Sequence, residues 1–232
     1  VSDPLREEVN QWFTFCMVYR RSPAMQARLD AQARLIVQAA TTVLSQEGFA
    51  GLSMASVAAT AGVATGTVYK HYENKAELVT AVFRTVVGRE VDAVVAAASA
   101  SSGSATERVV AAVRTFAGRA LRNPKLAYVL LVEPVDAVVD IERLHFRRAF
   151  TDTFVAAIAD GVTTGELPAQ NPDTTAAGLV GAIGEVLVGP LATNPHNDNV
   201  VRELVAFALR ALGAPAQAGP IATTPGVPYA NS

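Results

Sequence analysis

The segment "GVATGTVYKHYENK", residues 62–75, brings two tyrosines, a histidine and two lysines within seven positions of a chain otherwise dominated by Ala, Val and Leu. Hydroxyls, an imidazole and ammonium groups on so short a segment can donate to phosphate oxygens and to base edges. They do not assemble a nucleophile. GxSxG, a Walker loop, GxGxxG and HExxH are absent from the sequence, and three scattered histidines with one cysteine, Cys16, make no metal-ligand cluster. The expectation is a protein that is not an enzyme and carries no cofactor or metal. A catalytic carboxylate pair has no residues to nominate it.

The polar segment must be positioned by its neighbours, and their spacing is helical. Leu29, Ala33, Ile36, Val37, Ala40, Val43 and Leu44 form an amphipathic stripe that predicts a helix from Leu29 to Gly48, with Phe49 and Leu52 folding back onto it. Ser53 offers an N-cap to "MASVAATAG", which Gly62 closes. A third helix starts near Thr65, and Asn74 caps a fourth that runs to about Ala98. Ala58 at the crossing, Gly62 at the turn and Val68 as inward anchor, with Val57, Ala61 and Val63 as further buried contacts, describe a helix-turn-helix. Its second helix lies in the DNA major groove in such motifs.

With Val68 inward, Thr65, Gly66, Thr67, Tyr69, Lys70 and His71 are left to a partner. Gly66 permits close approach, Thr65 and Thr67 can meet base edges, and Lys70 can reach phosphate or guanine. Tyr69, His71 and Lys75 suit backbone clamping, as does the Ser53 hydroxyl. Tyr72, one helical turn beyond Val68, reads first as a core aromatic.

Composition supports this division. Half of the 232 residues are hydrophobic, no apolar run reaches membrane-spanning length, and no sustained alternation predicts a strand, so the fold class is all-α. The net charge of −2 offers no global argument for nucleic-acid binding. Its distribution does: residues 17–89 hold eight Lys/Arg against four acids, leaving a +4 region joined to a −6 remainder. The order of charges around "QWFTFCMV" is wrong for export, and the lone Cys16 fits a reducing cytoplasm.

At "LIVQAATTVLSQEGF" and "LSMASVAATAGVATGTVYKHYENKAELVTAVF" the sequence resembles the DNA-binding region of TetR-family transcriptional regulators, over about residues 29–85. The resemblance implies an all-helical homodimer with three N-terminal DNA-binding helices, a fourth connecting helix and a larger ligand-binding domain. It places Thr67, Tyr69, His71 and Tyr72 on DNA-contacting positions and Lys75 at the phosphate-contacting start of helix four. It further implies a pseudo-palindromic double-stranded operator, a small-molecule effector and most commonly repression. A helical dimeric adaptor or an enzyme would leave the helix-turn-helix unexplained.

The expected organisation is an arm at 1–24, a DNA-binding domain at 25–73, a helical ligand-binding and dimerisation domain at 74–212, and a disordered tail at 213–232. Beyond the fourth helix, five more are expected in the second domain, at about 106–123, 124–133, 136–161, 172–190 and 197–212. Gly178, Gly181, Ala182, Ile183 and Val186, with Leu204 and Phe207, are the expected dimer stripe. A pocket is expected among the helices at 106–161, with Phe116, Arg119, Tyr128, Glu133, Phe150 and Phe154 as candidate lining for a largely apolar ligand. His145 is a further candidate that also reads as an exposed group beside Glu142 and Arg148. Arg20, Arg21 and Arg28 are candidates for a basic arm on DNA.

Overall fold

The computed structural model describes residues 22–101, 103–193 and 199–214. Cys16, Arg20, Arg21 and most of the expected arm and tail lie outside these residues. The described chain is all-α. Its helices are α1 Pro23–Gly51, α2 Met54–Ala61, α3 Thr65–His71, α4 Lys75–Ala100, α5 Ala105–Arg122, α6 Pro124–Leu131, α7 Ala137–Thr163, α8 Pro172–Thr193 and α9 Val200–Ala211. None of the described helices is long and apolar enough to cross a membrane. The chain divides into two compact units between Val82 and Phe83, within α4.

In the first unit, Ser22 caps α1 by accepting from the Met25 N–H at 3.2 Å, and Pro23 opens the first turn. The helix therefore begins earlier than Leu29. Its first turns are exposed on all sides, so they carry no apolar stripe to announce them. Regular helix is broken at Gly48, whose φ of 75° and ψ of −174° lie outside the helical region. Ile36, Ala40, Val43 and Leu44 of α1 are buried with Leu52, Val57, Ala58 and Val68, and α2 packs against both α1 and α3.

Gly62 shows why this turn needs glycine. Its φ is 68° and ψ 32°, a left-handed conformation that lets the Val63 N–H reach the Ala58 carbonyl at 3.0 Å and close α2. Ala61 and Val63 themselves are half-buried rather than core.

The second unit is built on α5, which packs against α6, α7, α8 and α9. Val109, Val113, Phe116 and Ala117 of α5 meet a core that includes Phe154, Ile158, Leu179, Ile183, Leu187 and Leu204. Two caps fix where α5 begins. Ser104 and Glu107 form a reciprocal capping box, and the Glu166 carboxylate accepts the Ala105 and Thr106 N–H groups at 2.6 and 2.8 Å. Burial opposes ionisation of Glu166, but the hydrogen bonds from Thr106, Ala105 and Ser104 prevail and hold the carboxyl below its ordinary value. Gly161 of α7 lies where a side chain has no room: a Cβ there would come within 2.7 Å of the Ala105 Cβ and 2.8 Å of a Leu167 methyl.

Candidate nucleic-acid interface and internal cavity

Helix α3 is held by one side chain and exposed around it. Val68 is wholly enclosed, whereas Thr65, Gly66, Tyr69 and Lys70 are exposed, Tyr69 by 53%. Thr67, His71 and Tyr72 are half-buried along the edges of this face. The helix contains no acidic residue and ends with Lys70 and His71. Gly66 is set apart by what does not surround it. Its backbone needs no glycine, and an added Cβ would meet nothing within 4 Å. Inside the chain, an alanine would fit and favour the helix.

Several polar candidates are already engaged. The Ser53 hydroxyl caps α2, accepting the Ser56 N–H at 3.0 Å while the Ser56 hydroxyl accepts the Ser53 N–H at 2.9 Å. This oxygen serves a capping box on the exposed start of α2. His71 Nε2 lies 3.0 Å from the Gln32 side-chain oxygen, which ties the end of α3 to α1. The Lys75 ammonium donates to the Phe49 carbonyl at 2.7 Å and sits 3.9 Å over the Phe49 ring. Burial, and then the Glu77 charge, push the Tyr72 hydroxyl above its ordinary pKa, so it stays a neutral donor. Arg28, on the exposed first turns of α1, is the described member of the expected basic arm.

A cavity of ≈ 140 Å³ lies within the second unit, walled by all its helices except α9. Phe116 and Phe150 stack on each other in its wall with ring centroids 4.6 Å apart, and Phe83, Val87, Leu126, Leu130 and Phe146 extend the apolar wall. An apolar space of about 150 Å³ is enough to hold benzene, so this one suits a ring or a short hydrocarbon segment.

The polar groups on the wall differ sharply in what they already hold. Arg119 donates through Nε and Nη2 to the two carboxylate oxygens of Glu90, the Nη2 contact being 2.9 Å. Arg143 donates to the carbonyls of Val129, Leu130 and Glu133 at 3.2, 3.1 and 2.7 Å and to Asp140 at 2.7 Å, which clamps the end of α6 onto α7. Burial lowers the Arg143 pKa from its ordinary value, Asp140 opposing it. Asn123 ends α5 and caps α6 through the Leu126 N–H. Arg147 pairs with no carboxylate among the described residues.

Of the expected pocket residues, Phe116, Arg119 and Phe150 line this cavity and four do not. Phe154 is enclosed in the core behind it, one turn too far along α7. Tyr128 is 44% exposed on the outer side of α6, and His145 is exposed on α7 near Glu142. Glu133 contributes its backbone carbonyl to Arg143 rather than a carboxylate to the cavity. Glu90, Asn123, Arg143 and Arg147 are the polar lining that sequence reasoning missed. Counting back from Phe150 by three, four and seven would have reached Arg147, Phe146 and Arg143 on one helical face.

The expected dimer stripe divides in two. Ile183 and Leu204 are enclosed by the chain itself, so their expected contact with a second copy is corrected: they belong to the α8 and α9 sides of the core. Gly178 and Gly181 are exposed, Ala182 and Val186 half-buried, and Phe207 is 38% exposed. A Cβ added at Gly178 or Gly181 would meet nothing within 4 Å.

Comparison with known proteins agrees with this architecture. Residues 36–82 match the family model of bacterial regulatory proteins, tetR family. No curated protein sequence matches the chain. Among solved structures, the FadR regulator from Bacillus subtilis in complex with stearoyl-CoA is similar at a TM-score of 0.66 and 18% identity, covering 78% of this chain and 95% of that one. A tetR-family regulatory protein from Rhodococcus RHA1 has a TM-score of 0.61 at 24% identity, covering 80% and 98%. The SmeT–triclosan complex has a TM-score of 0.64 at 19% identity, covering 86% and 100%. The N-terminal helices thus carry the match to the tetR family of bacterial regulatory proteins, and the chain as a whole shares the all-helical fold of solved tetR-family structures.

Proposed function

We propose that this protein is a ligand-responsive repressor that binds a pseudo-palindromic double-stranded DNA operator as a homodimer, in the cytoplasm, and is released by a small, largely apolar effector held in the second unit. The observation that carries the reading is α3: one buried anchor, Val68, beneath an acid-free exposed face on which Gly66 has open space above it. Such a helix N-terminus can come close to base edges, with Thr65, Thr67 and Tyr69 reading or clamping and Lys70 reaching phosphate. His71, bonded to Gln32, ties the far end of this helix to α1, and Lys75, bonded to Phe49, joins the start of α4 to the same helix.

Two recognition helices about 34 Å apart are needed to enter successive major grooves, which calls for a two-fold assembly. Gly178, Gly181 and Ala182 supply small residues for its face, and Val186 and Phe207 supply apolar area. The cavity supports an effector, as do the complexes of structurally similar proteins with stearoyl-CoA and with triclosan. An effector bound more tightly by the DNA-free shape releases the operator, and a few kcal/mol of preference is enough.

A gel-shift assay on the DNA upstream of the protein's own gene tests this, with Tyr69→Ala as the control. A retarded band lost in Tyr69→Ala is expected. Equal retention of random DNA would remove the operator reading and restore that of a helical adaptor.

A further inference from the structure

We infer that the effector is an apolar anion whose charged group is met by Arg147 while its body lies against Phe116, Phe146, Phe150 and Leu130. This rests on the reading of the cavity as the effector site, and it names the ligand's charge, which that reading leaves open. The argument is one of elimination among the wall's charges. Glu90 and Arg119 neutralise each other through paired hydrogen bonds. Arg143 is spent on three carbonyls and on Asp140. Asn123 holds the first turn of α6. Arg147 remains, a cation on the wall with no carboxylate partner among the described residues.

A cationic ligand would find only Glu90, and would have to displace Arg119 from it. A neutral ligand would gain nothing from the Arg147 charge, which solvent already hydrates. An anion completes the set, because guanidinium binds carboxylate, sulfonate or phosphate oxygens through paired donors. Arg147 is also exposed, so it stands where the cavity meets solvent and a charged head can keep part of its hydration.

Two fluorescent probes separate charge from shape. Anilinonaphthalene sulfonate and phenylnaphthylamine share a ring system and differ by the sulfonate. Both are titrated into the full chain and into the variants Arg147→Gln, Arg147→Lys, Arg148→Gln and Gly184→Leu. Gly184 lines the cavity with open space at its Cβ, so leucine there fills the cavity without displacing backbone.

The expected result is tighter binding of the sulfonate probe. Arg147→Gln weakens it by about tenfold, the scale of one charge-assisted hydrogen bond, and leaves the neutral probe unchanged. Arg147→Lys keeps most of the preference, Arg148→Gln keeps all of it, and Gly184→Leu weakens both probes. Equal affinities in the parent chain overturn the anion, and a preference that survives Arg147→Gln overturns Arg147 as its partner, while Gly184→Leu still reports the cavity. If neither probe binds, or Gly184→Leu changes neither, the cavity reading fails and the inference falls with it.

Discussion

Lys75 reaches back across the first unit to Phe49, its ammonium 2.7 Å from the backbone carbonyl and 3.9 Å over the ring. The contact joins the start of α4 to the end of α1, beside the break at Gly48. Lys75 therefore differs in role from Lys70, which stands exposed on α3. Replacing Lys70 by Gln should reduce the slope of log affinity against log salt by about one, as the loss of one phosphate contact does. Lys75→Gln should leave that slope unchanged and lower thermal stability by about 1 kcal/mol, the value of a hydrogen bond with its cation–π contact. Operator titrations at several salt concentrations and a melting curve read both; a reduced slope in Lys75→Gln would return this lysine to the DNA.

Gly66 offers a test in which stability and function move in opposite directions. Alanine has room there and should raise helix stability by about 0.5–1 kcal/mol. The same methyl stands on the face proposed to meet DNA, and operator affinity should fall by about tenfold, or ~1.4 kcal/mol. A more stable variant that binds as tightly as the parent would move the close approach elsewhere on α3.

The two sides of α8 are separable by mass. Leucine at Gly181 should be tolerated by the isolated chain and should convert the proposed dimer to monomer in light scattering. Leucine at Gly184, on the cavity side, should leave the mass of the assembly unchanged. A dimer that survives Gly181→Leu takes α8 out of the interface.

Acid should weaken the second unit through two carboxylates. The Arg84 hydrogen bond, at 2.5 Å, holds Glu142 below its ordinary 4.5, and Glu166 is lowered by the N–H groups it caps. A depressed folded pKa contributes stability that is present above the unfolded value and is lost as pH falls through the folded one. Melting should thus be flat from pH 7 to about pH 5 and fall below it. Glu166→Gln should cost about 1–2 kcal/mol at neutral pH and flatten the acid limb. Glu142→Gln should cost less, about 0.5–1 kcal/mol, because Arg84 is largely exposed and screened. An acid limb as steep in both variants as in the parent would assign the loss to other groups.

What could be read from the sequence follows the range of the interactions involved. The turn at Gly62, the anchor Val68 and the caps at Ser53 and Asn74 act over a few residues, and each stands close to where spacing put it. The cavity depends on five helices meeting, and the expected lining on α7 was displaced because Phe154 and Phe150 share a stripe while only Phe150 faces the space. Arg143 and Arg147 sit four apart and carry the same charge, yet one closes a helix end and the other does not. Only the positions of α6 and Asp140 distinguish them. The α8 stripe divided differently: apolar Ile183 and small Gly181 are two positions apart, one enclosed and the other exposed.

Glycines that a single chain does not need shape the life of a newly made subunit. Gly178 and Gly181 each cost the isolated fold about 0.5–1 kcal/mol relative to alanine. In the proposed assembly that deficit is recovered only after a partner has been found, so stability rises with the protein's own concentration. Excess or stranded copies would then unfold and be degraded before paired ones, and the cell's stock of regulator would be trimmed toward complete dimers.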